Sequence, residues 1–365
     1  MRSMTLPVAA LAEAVVDLGA IAFNARLLAD HGAPARMMAV VKADAFGHGM
    51  VPAARACLGA GASWLGVTTV EEALQVRAAG IDAPLLTWLY GPWADFAALV
   101  AADVDVTAGS VGHLDAIAAG ARAAGRAASV HLKIDTGMTR GGAVLPDWPA
   151  LVHHAVELTR HGRIRVRGIW THLARADEPH ALGSVAEQLA RFARGVDLAR
   201  AAGLRPELLH TANSAAILAT PDAHFDLTRA GISLYGPEPV DGQVNGLRPA
   251  MTVTARVVET GDGTATFPLG LGHGVPAHAV GRAAVLLAGR RCPVLDVSAD
   301  RTSVDVTGLA VGPGDIGVFF GTGTFGAPTA AEWATWCGTN PHEILTGFGT
   351  RVPRRYLREG TTQHG

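Results

Sequence analysis

Over the first two-thirds of the chain, short apolar runs alternate with amphipathic stretches. The run Met37–Ala45 (MMAVVKADA) has a β-branched centre and leads into an alanine-rich helical stretch. The pattern returns at Trp64–Thr69, Pro84–Tyr90, Asp103–Ala108, Ser129–Asp135, Val166–Leu173, Leu208–Ser214 and Leu227–Gly236. Short apolar runs bounded by turn residues predict strands, the longer helical periodicities between them predict helices, and glycines at several helix ends act as stop signals. Eight strand–helix repeats within roughly 220 residues predict a (β/α)8 barrel. A doubly wound open sheet is the competing architecture, but no glycine-rich dinucleotide turn follows the first strand.

Beyond Pro237–Pro249 the helical periodicity stops. Residues 251–260, 263–270, 284–298, 302–308 and 315–322 are β-branched runs broken by Gly and Asp turns, with one short helix expected at 330–338. This pattern predicts a small, mostly antiparallel β domain. The division falls near residue 245, giving a barrel over 1–245 and a β domain over 246–365.

Composition narrows the function classes. The chain has 365 residues, 49% hydrophobic and 17% charged, with a formal net charge of −2, so no electrostatic footprint for nucleic acid or a membrane surface is expected. A small-molecule partner is the default. Cys57, Cys292 and Cys337 are too scattered for a metal site, and none is expected. The N-terminal run is interrupted by Glu13 and Asp17 and continues into a helical pattern, which argues against a signal peptide and for a cytoplasmic protein.

In a (β/α)8 barrel the loops at the C-terminal strand ends build the active site. Polar residues at those positions are Lys42, Arg140, His172, His210 with Asn213 and Ser214, and Arg229. Lys42 stands in an otherwise apolar run, VVKADAFGHG. Burial there would favour its neutral amine, the form that condenses with an aldehyde. Alternatively, it snorkels from a strand end into solvent.

The run VVKADAFGHG resembles the cofactor-lysine motif of alanine racemases, with Phe46 where that family usually has tyrosine. HLKIDTGMTRGG (His131–Gly142), THLARAD (Thr171–Asp177), HTANSAA (His210–Ala216) and RAGISLYG (Arg229–Gly236) resemble the family's barrel motifs in their order. VDVTG, Gly314–Asp315 and RVPRRY (Arg351–Tyr356) resemble its C-terminal domain. The resemblance implies a pyridoxal 5′-phosphate (PLP) enzyme acting on an amino acid, with Lys42 as Schiff-base lysine and one catalytic base. It places Phe46, His172, His210, Ser214, Arg229, Gly231 and Ile232 around the cofactor, with the phosphate near Ser214 and the Gly231–Ile232 backbone. Arg229 would face the pyridine nitrogen, which must then accept because arginine keeps its protons. Arg140 would meet the substrate carboxylate. Lys133 either carries a carbamate or forms an ion pair with Asp135 or a neighbouring carboxylate, and Asn213 stands behind the residues that meet the cofactor. For Ser214 itself, capping a helix that begins at Ala215 is an equally available role. A head-to-tail homodimer is also implied, each β domain completing its partner's site.

The pattern also departs from the family. The second base there is a tyrosine in an SYG-like segment, whereas ETGDGTAT between Val258 and Phe267 is short and holds none. The tyrosines are Tyr90, Tyr235 and Tyr356, all in other motifs. In FPLGLGHG, Leu271 and His273 stand where the family has tyrosine and aspartate, and Ala299 replaces a methionine at a substrate-facing position. Three readings stay open. One is a racemase with His273, His278 or water as second base. Another is a PLP enzyme using one face only, for aldol cleavage, decarboxylation or stereospecific exchange. The third is a non-catalytic PLP-binding homologue.

Overall fold

A computed structural model describes residues 10–240 and 242–357. Eight strands, Arg36–Val40, Trp64–Val67, Leu85–Thr87, Asp105–Ala108, Ala128–Lys133, Ile164–Trp170, Leu208–His210 and Leu227–Ala230, run parallel in chain order, and the last pairs back onto the first. The seventh and eighth strands meet through Asp226 N–H to Leu209 O and Arg229 N–H to Ala212 O, both 3.0 Å. The expected (β/α)8 barrel is therefore present. Each strand overlaps one of the predicted apolar runs, but most stop earlier than predicted. The residues past each stop, Lys42 and His172 among them, leave the ladder to form the mouth. Inside the barrel Met38, Trp64, Leu86, Leu208 and Leu227 pack into a plug.

The second sheet has nine strands and is mostly antiparallel. It recruits both ends of the described chain. Ala12–Asp17 pairs antiparallel with Met251–Arg256 on one side and parallel with Arg354–Leu357 on the other. The expectation that the N-terminal run carries straight into a helix needs correction here. Ala14, Val15 and Val16 are buried in the second sheet as a strand. The helix Leu18–Gly32 begins only after Asp17, whose carboxylate accepts from Ala20 N–H at 3.0 Å.

Two features of this domain bear on the site. The segment before Phe267 is a tight hairpin, Glu259–Gly261 against Thr264–Phe267. Asp262 and Gly263, at φ 49° and 76°, form the two-residue turn that suits the strand twist. Near the end, the expected helix Ala330–Cys337 is followed by a second, Pro341–Gly347. Asn340 caps that helix by accepting from Glu343 N–H at 3.1 Å, with proline at its first position.

Candidate active site

Lys42 opens a turn of unusual hand. Ala43, Asp44, Ala45 and Phe46 all lie in the left-handed region, with φ of 53°, 53°, 55° and 51°. The strand expected to run to Ala45 therefore ends at Val40. Left-handed backbone costs an L-residue about 1–2 kcal/mol, so other groups must hold the turn. Glu72 Oε1 accepts from Ala43 N–H at 2.6 Å, and Asp44 Oδ1 accepts from Met50 N–H at 2.8 Å. His48 is fully buried; its Nδ1–H donates to the carbonyls of Ala45 and Phe46 at 2.9 and 3.0 Å, and its ring stacks on Tyr235. Arg354, from the last strand, donates through Nε to Gly47 O at 2.9 Å.

The helix Pro341–Gly347 packs on this turn. Gly47 has φ 80°, and a Cβ there would stand 2.6 Å from Leu345 O. Gly47→Ala is thus expected to destabilise the chain by about 2–3 kcal/mol through backbone strain and collision with a carbonyl that cannot move freely. Denaturant midpoints check this, and an unchanged midpoint would remove Gly47 as the spacer of this joint.

Around Lys42 the mouth is cationic. The Lys42 amine is half-buried and its pKa is lowered, first by burial and then by Arg140, with Glu72 opposing. Lys133 is pushed down to about 8 by burial and by Arg229 and Arg140. Its Nζ donates to Arg140 O at 3.0 Å and sits 4.8 Å over the Trp170 ring. Asp135, the ion-pair partner considered from sequence, accepts instead from Gly137 and Thr139 N–H groups at 2.9 and 3.1 Å. Half-buried His172 falls to about 3, mostly through burial and then through Arg229, Arg140, Lys133 and Lys42.

Arg229 is buried beneath this group, and burial takes it down to about 9. One guanidinium nitrogen donates to His210 Nδ1 at 3.2 Å, and the other to Thr171 O and Thr211 O, each at 2.9 Å. Trp170 lies 4.9 Å below the guanidinium and stacks on His210.

On the opposite wall Asn213, not Ser214, caps the helix Ser214–Ala219 by accepting from Ala216 N–H at 3.0 Å. Ser214 is the first helical residue, and its hydroxyl receives Gly231 N–H at 2.9 Å. Gly231 leads into the 3-10 turn Ile232–Tyr235, whose first N–H groups have no partner within the turn. A Cβ on Gly231 would meet only Ser214 Oγ, at 3.8 Å, so the space before this backbone is open.

The structure thus gathers Lys42, Phe46, Lys133, Arg140, His172, His210, Asn213, Ser214, Arg229, Gly231 and Ile232 at the barrel mouth. His273 and Ala299 lie in the second domain, where His273 Nδ1 accepts from Gly270 N–H at 3.2 Å and Ala299 O accepts from Gly272 N–H at 2.8 Å. Two contributors were not found from sequence. Glu72 ties the Lys42 turn to the second barrel strand's loop. His342, on the helix Pro341–Gly347, has its ring 5.5 Å from that of Phe46, while Lys42 Nζ lies 5.8 Å from the same ring. Burial and Lys42 lower the His342 pKa, with Asp177 opposing. The Asn340–Pro341 start signal could have revealed this helix, but nothing local says which loop it meets. A groove of about 480 Å³ bordered by Leu18, Val51 and Tyr356 lies elsewhere and gathers none of these groups.

A (β/α)8 barrel with a half-buried lysine at its mouth and a second, mostly antiparallel β domain is an enzyme architecture whose active site lies at the C-terminal strand ends. The model of the alanine racemase N-terminal domain matches residues 16–239 and that of the C-terminal domain residues 253–356. The alanine racemase of Salinispora arenicola is 47% identical, covering 94% of this chain and 98% of the relative. Among solved structures, alanine racemase from D-cycloserine producing Streptomyces lavendulae superposes with a TM-score of 0.92 at 39% identity, covering 96% of this chain and 98% of that one. The alanine racemase from Bartonella henselae with covalently bound pyridoxal phosphate gives 0.85 at 28% identity, covering 96% and 100%. The chain belongs to the alanine racemase family.

Proposed function

We propose that this chain is a PLP-dependent amino-acid racemase, carried above all by one observation: half-buried Lys42 stands at the mouth of a barrel whose strand ends also carry Arg229, Ser214 and the open backbone at Gly231. Arg140 and Arg229 suit anionic groups, and a phosphorylated aldehyde together with an amino-acid carboxylate would supply them. The residues fit the cofactor. Lys42 offers an amine biased toward its neutral form, the Ser214 hydroxyl proton and the Ile232 N–H are left to donate to a phosphate while Gly231 N–H holds Ser214 Oγ, and Arg229 presents only donors to the ring. Bound PLP withdraws electrons from the amino acid's Cα and so acidifies its Cα–H.

Lys42 then holds and moves a proton at Nζ on one face. Burial and then Arg140 lower its pKa, which enlarges the share of neutral amine able to accept a proton. Arg140 stands where a carboxylate can be gripped through two donors. Lys133, at about 8, has enough neutral amine to take up carbon dioxide as a carbamate, which would give the neighbouring Arg229 and Arg140 an anionic partner. Arg229 presents only donors, so a pyridine nitrogen held against it would have to accept, which would moderate electron withdrawal by the cofactor.

The group serving the other face differs from the family's tyrosine. The hairpin Glu259–Phe267 carries no tyrosine. Tyr90 and Tyr235 are committed inside the barrel, their hydroxyls donating to Thr107 O at 2.9 Å and Val40 O at 3.0 Å. His273, His278 and water stay open as the second acid–base group, and His342 joins them. His273 reaches a site only if a head-to-tail homodimer presents the partner's second domain, while His342 already stands beside the Lys42 turn. Racemisation of alanine with exchange of Cα–H in deuterium oxide tests the reading; exchange with retention of configuration would move it to one-faced chemistry, and no exchange with any amino acid to a binding protein. His273→Ala and His342→Ala should differ, the true second base losing about 10²–10⁴-fold in turnover. Mixing Lys42→Ala with His273→Ala protein restores activity only if the site is shared between protomers.

A further inference from the structure

Arg229 is the upper end of a longer chain of buried groups. His210 Nε2 lies 2.9 Å from His131 Nδ1, and His131 Nε2 lies 3.0 Å from Asp105 Oδ2. Asp105 in turn accepts from Arg167 at 3.1 and 3.2 Å. The strand register shows the direction of travel. Thr107 pairs with His131, His131 with Gly168, and Gly168 with Leu208, so Asp105 lies two residues below His131 and His210 two residues above it. The path climbs the inside of the barrel from the N-terminal ends of the strands to the mouth.

The proton positions along it follow from chemistry alone. A guanidinium only donates, so His210 Nδ1 must accept from Arg229 and its Nε2 must carry the proton. That N–H points at His131 Nδ1, which must therefore accept, leaving the His131 proton on Nε2, aimed at the Asp105 carboxylate. Neither histidine can take a second proton without placing two donors face to face. Both rings are fully buried, and burial, His131 and Arg229 hold His210 well below its ordinary pKa.

The surroundings are built for these rings. A Cβ on Gly168 would lie 2.4 Å from His131 Nδ1, so only glycine leaves room for the acceptor nitrogen. Trp64 meets His131 edge-on, and Trp170 stacks on His210 with an interplanar angle of 5°. Arg167 lies 4.5 Å over Trp64 as Arg229 lies over Trp170. Two indoles therefore line the relay.

We infer that Asp105, His131 and the gap left by Gly168 are positioning residues that lock His210 and Arg229 into a one-way donor chain, keeping Arg229 a pure donor toward whatever ring it faces. The functional meaning rests on the reading of Arg229 given above; the tautomers do not. Without the Asp105 anion, His131 is free to carry its proton on Nδ1. His210 would then carry its own on Nδ1, donor against donor with Arg229, and the guanidinium would be pushed aside.

The test is nitrogen-15 long-range NMR of histidine-labelled, full-length, PLP-loaded protein at pH 7. Both His131 and His210 should appear as neutral Nε2–H tautomers. An Nδ1–H tautomer or an imidazolium at either overturns the inference, and this measurement needs no variant. Asp105→Asn should then populate Nδ1–H at His131 and lower kcat about 10- to 100-fold with KM little changed, the loss expected from ångström-scale misplacement of an active-site group. Gly168→Ala should push the His131 ring off this line and lower kcat likewise, although it removes no titratable group. Unchanged tautomers and kcat in both variants overturn the proposal. Correct tautomers in a protein that takes up no PLP would uphold the relay and reject the cofactor reading, so the two failures are separable.

Discussion

Replacing Lys42 with alanine should abolish racemisation, with the lost proton transfer alone costing about 10²–10⁴-fold and the lost attachment of the cofactor adding to it. The amine stands at the end of the first barrel strand, half-buried and with its basicity reduced by burial and by Arg140. An ordinary surface lysine would be protonated almost completely at neutral pH and would neither condense with an aldehyde nor remove a proton. The parent protein should be coloured, and borohydride should fix the cofactor on a single lysine. In the variant the same treatment should label nothing. A borohydride-stable adduct on any other lysine of the parent, or racemase activity surviving in Lys42→Ala, would remove this residue from the mechanism. Because the turn after Lys42 is held by Glu72, Asp44, His48 and Arg354, the variant should stay folded, and its denaturant midpoint should match the parent's.

Acid should destabilise the protein in part through His48, the ring beneath that turn. His48 Nδ1–H is spent on the Ala45 and Phe46 carbonyls, and its Nε2 is buried with no partner among the described residues. A proton added at Nε2 would find no acceptor, and burial takes the pKa down to about 4 from the usual 6.5. Between these values the unfolded chain binds a proton that the folded chain refuses, so stability rises with pH across that window. The contribution is complete above pH 6.5 and drains away as pH falls toward 4, by about 3 kcal/mol from this residue. Urea midpoints at several pH values should fall steeply in the parent and less steeply in His48→Gln. Parallel curves would show that the buried ring is not what acid attacks.

The eight barrel strands were legible because strands of a parallel sheet are covered on both faces and read as unbroken apolar runs. Their C-terminal ends were less legible. The predicted run through Ala45 contains no glycine until Gly47, and nothing local in Ala43–Phe46 announces a reversal of hand; the restraints come from Glu72 and Arg354, far along the chain. Ala12–Asp17 was hidden for a related reason. Its apolar residues run into those of the following helix, and its two partner strands lie at the other end of the sequence. The adjacent cap-type residues Asn213 and Ser214 could not be told apart by type, and only the geometry assigns the cap to Asn213. His342 escaped notice because its neighbour Phe46 is set by domain packing rather than by spacing.

The reversed turn after Lys42 restricts which residues this stretch can accept. Over four positions the backbone traces the mirror image of an ordinary helical turn, a path on which side chains branched at Cβ would collide with the main chain. That limits Ala43, Asp44 and Ala45 to a narrow alphabet of compact or locally bonding residues, whatever the cofactor does. Substitution by valine, isoleucine or threonine there should swing the lysine away from the mouth without touching any group that takes part in the chemistry.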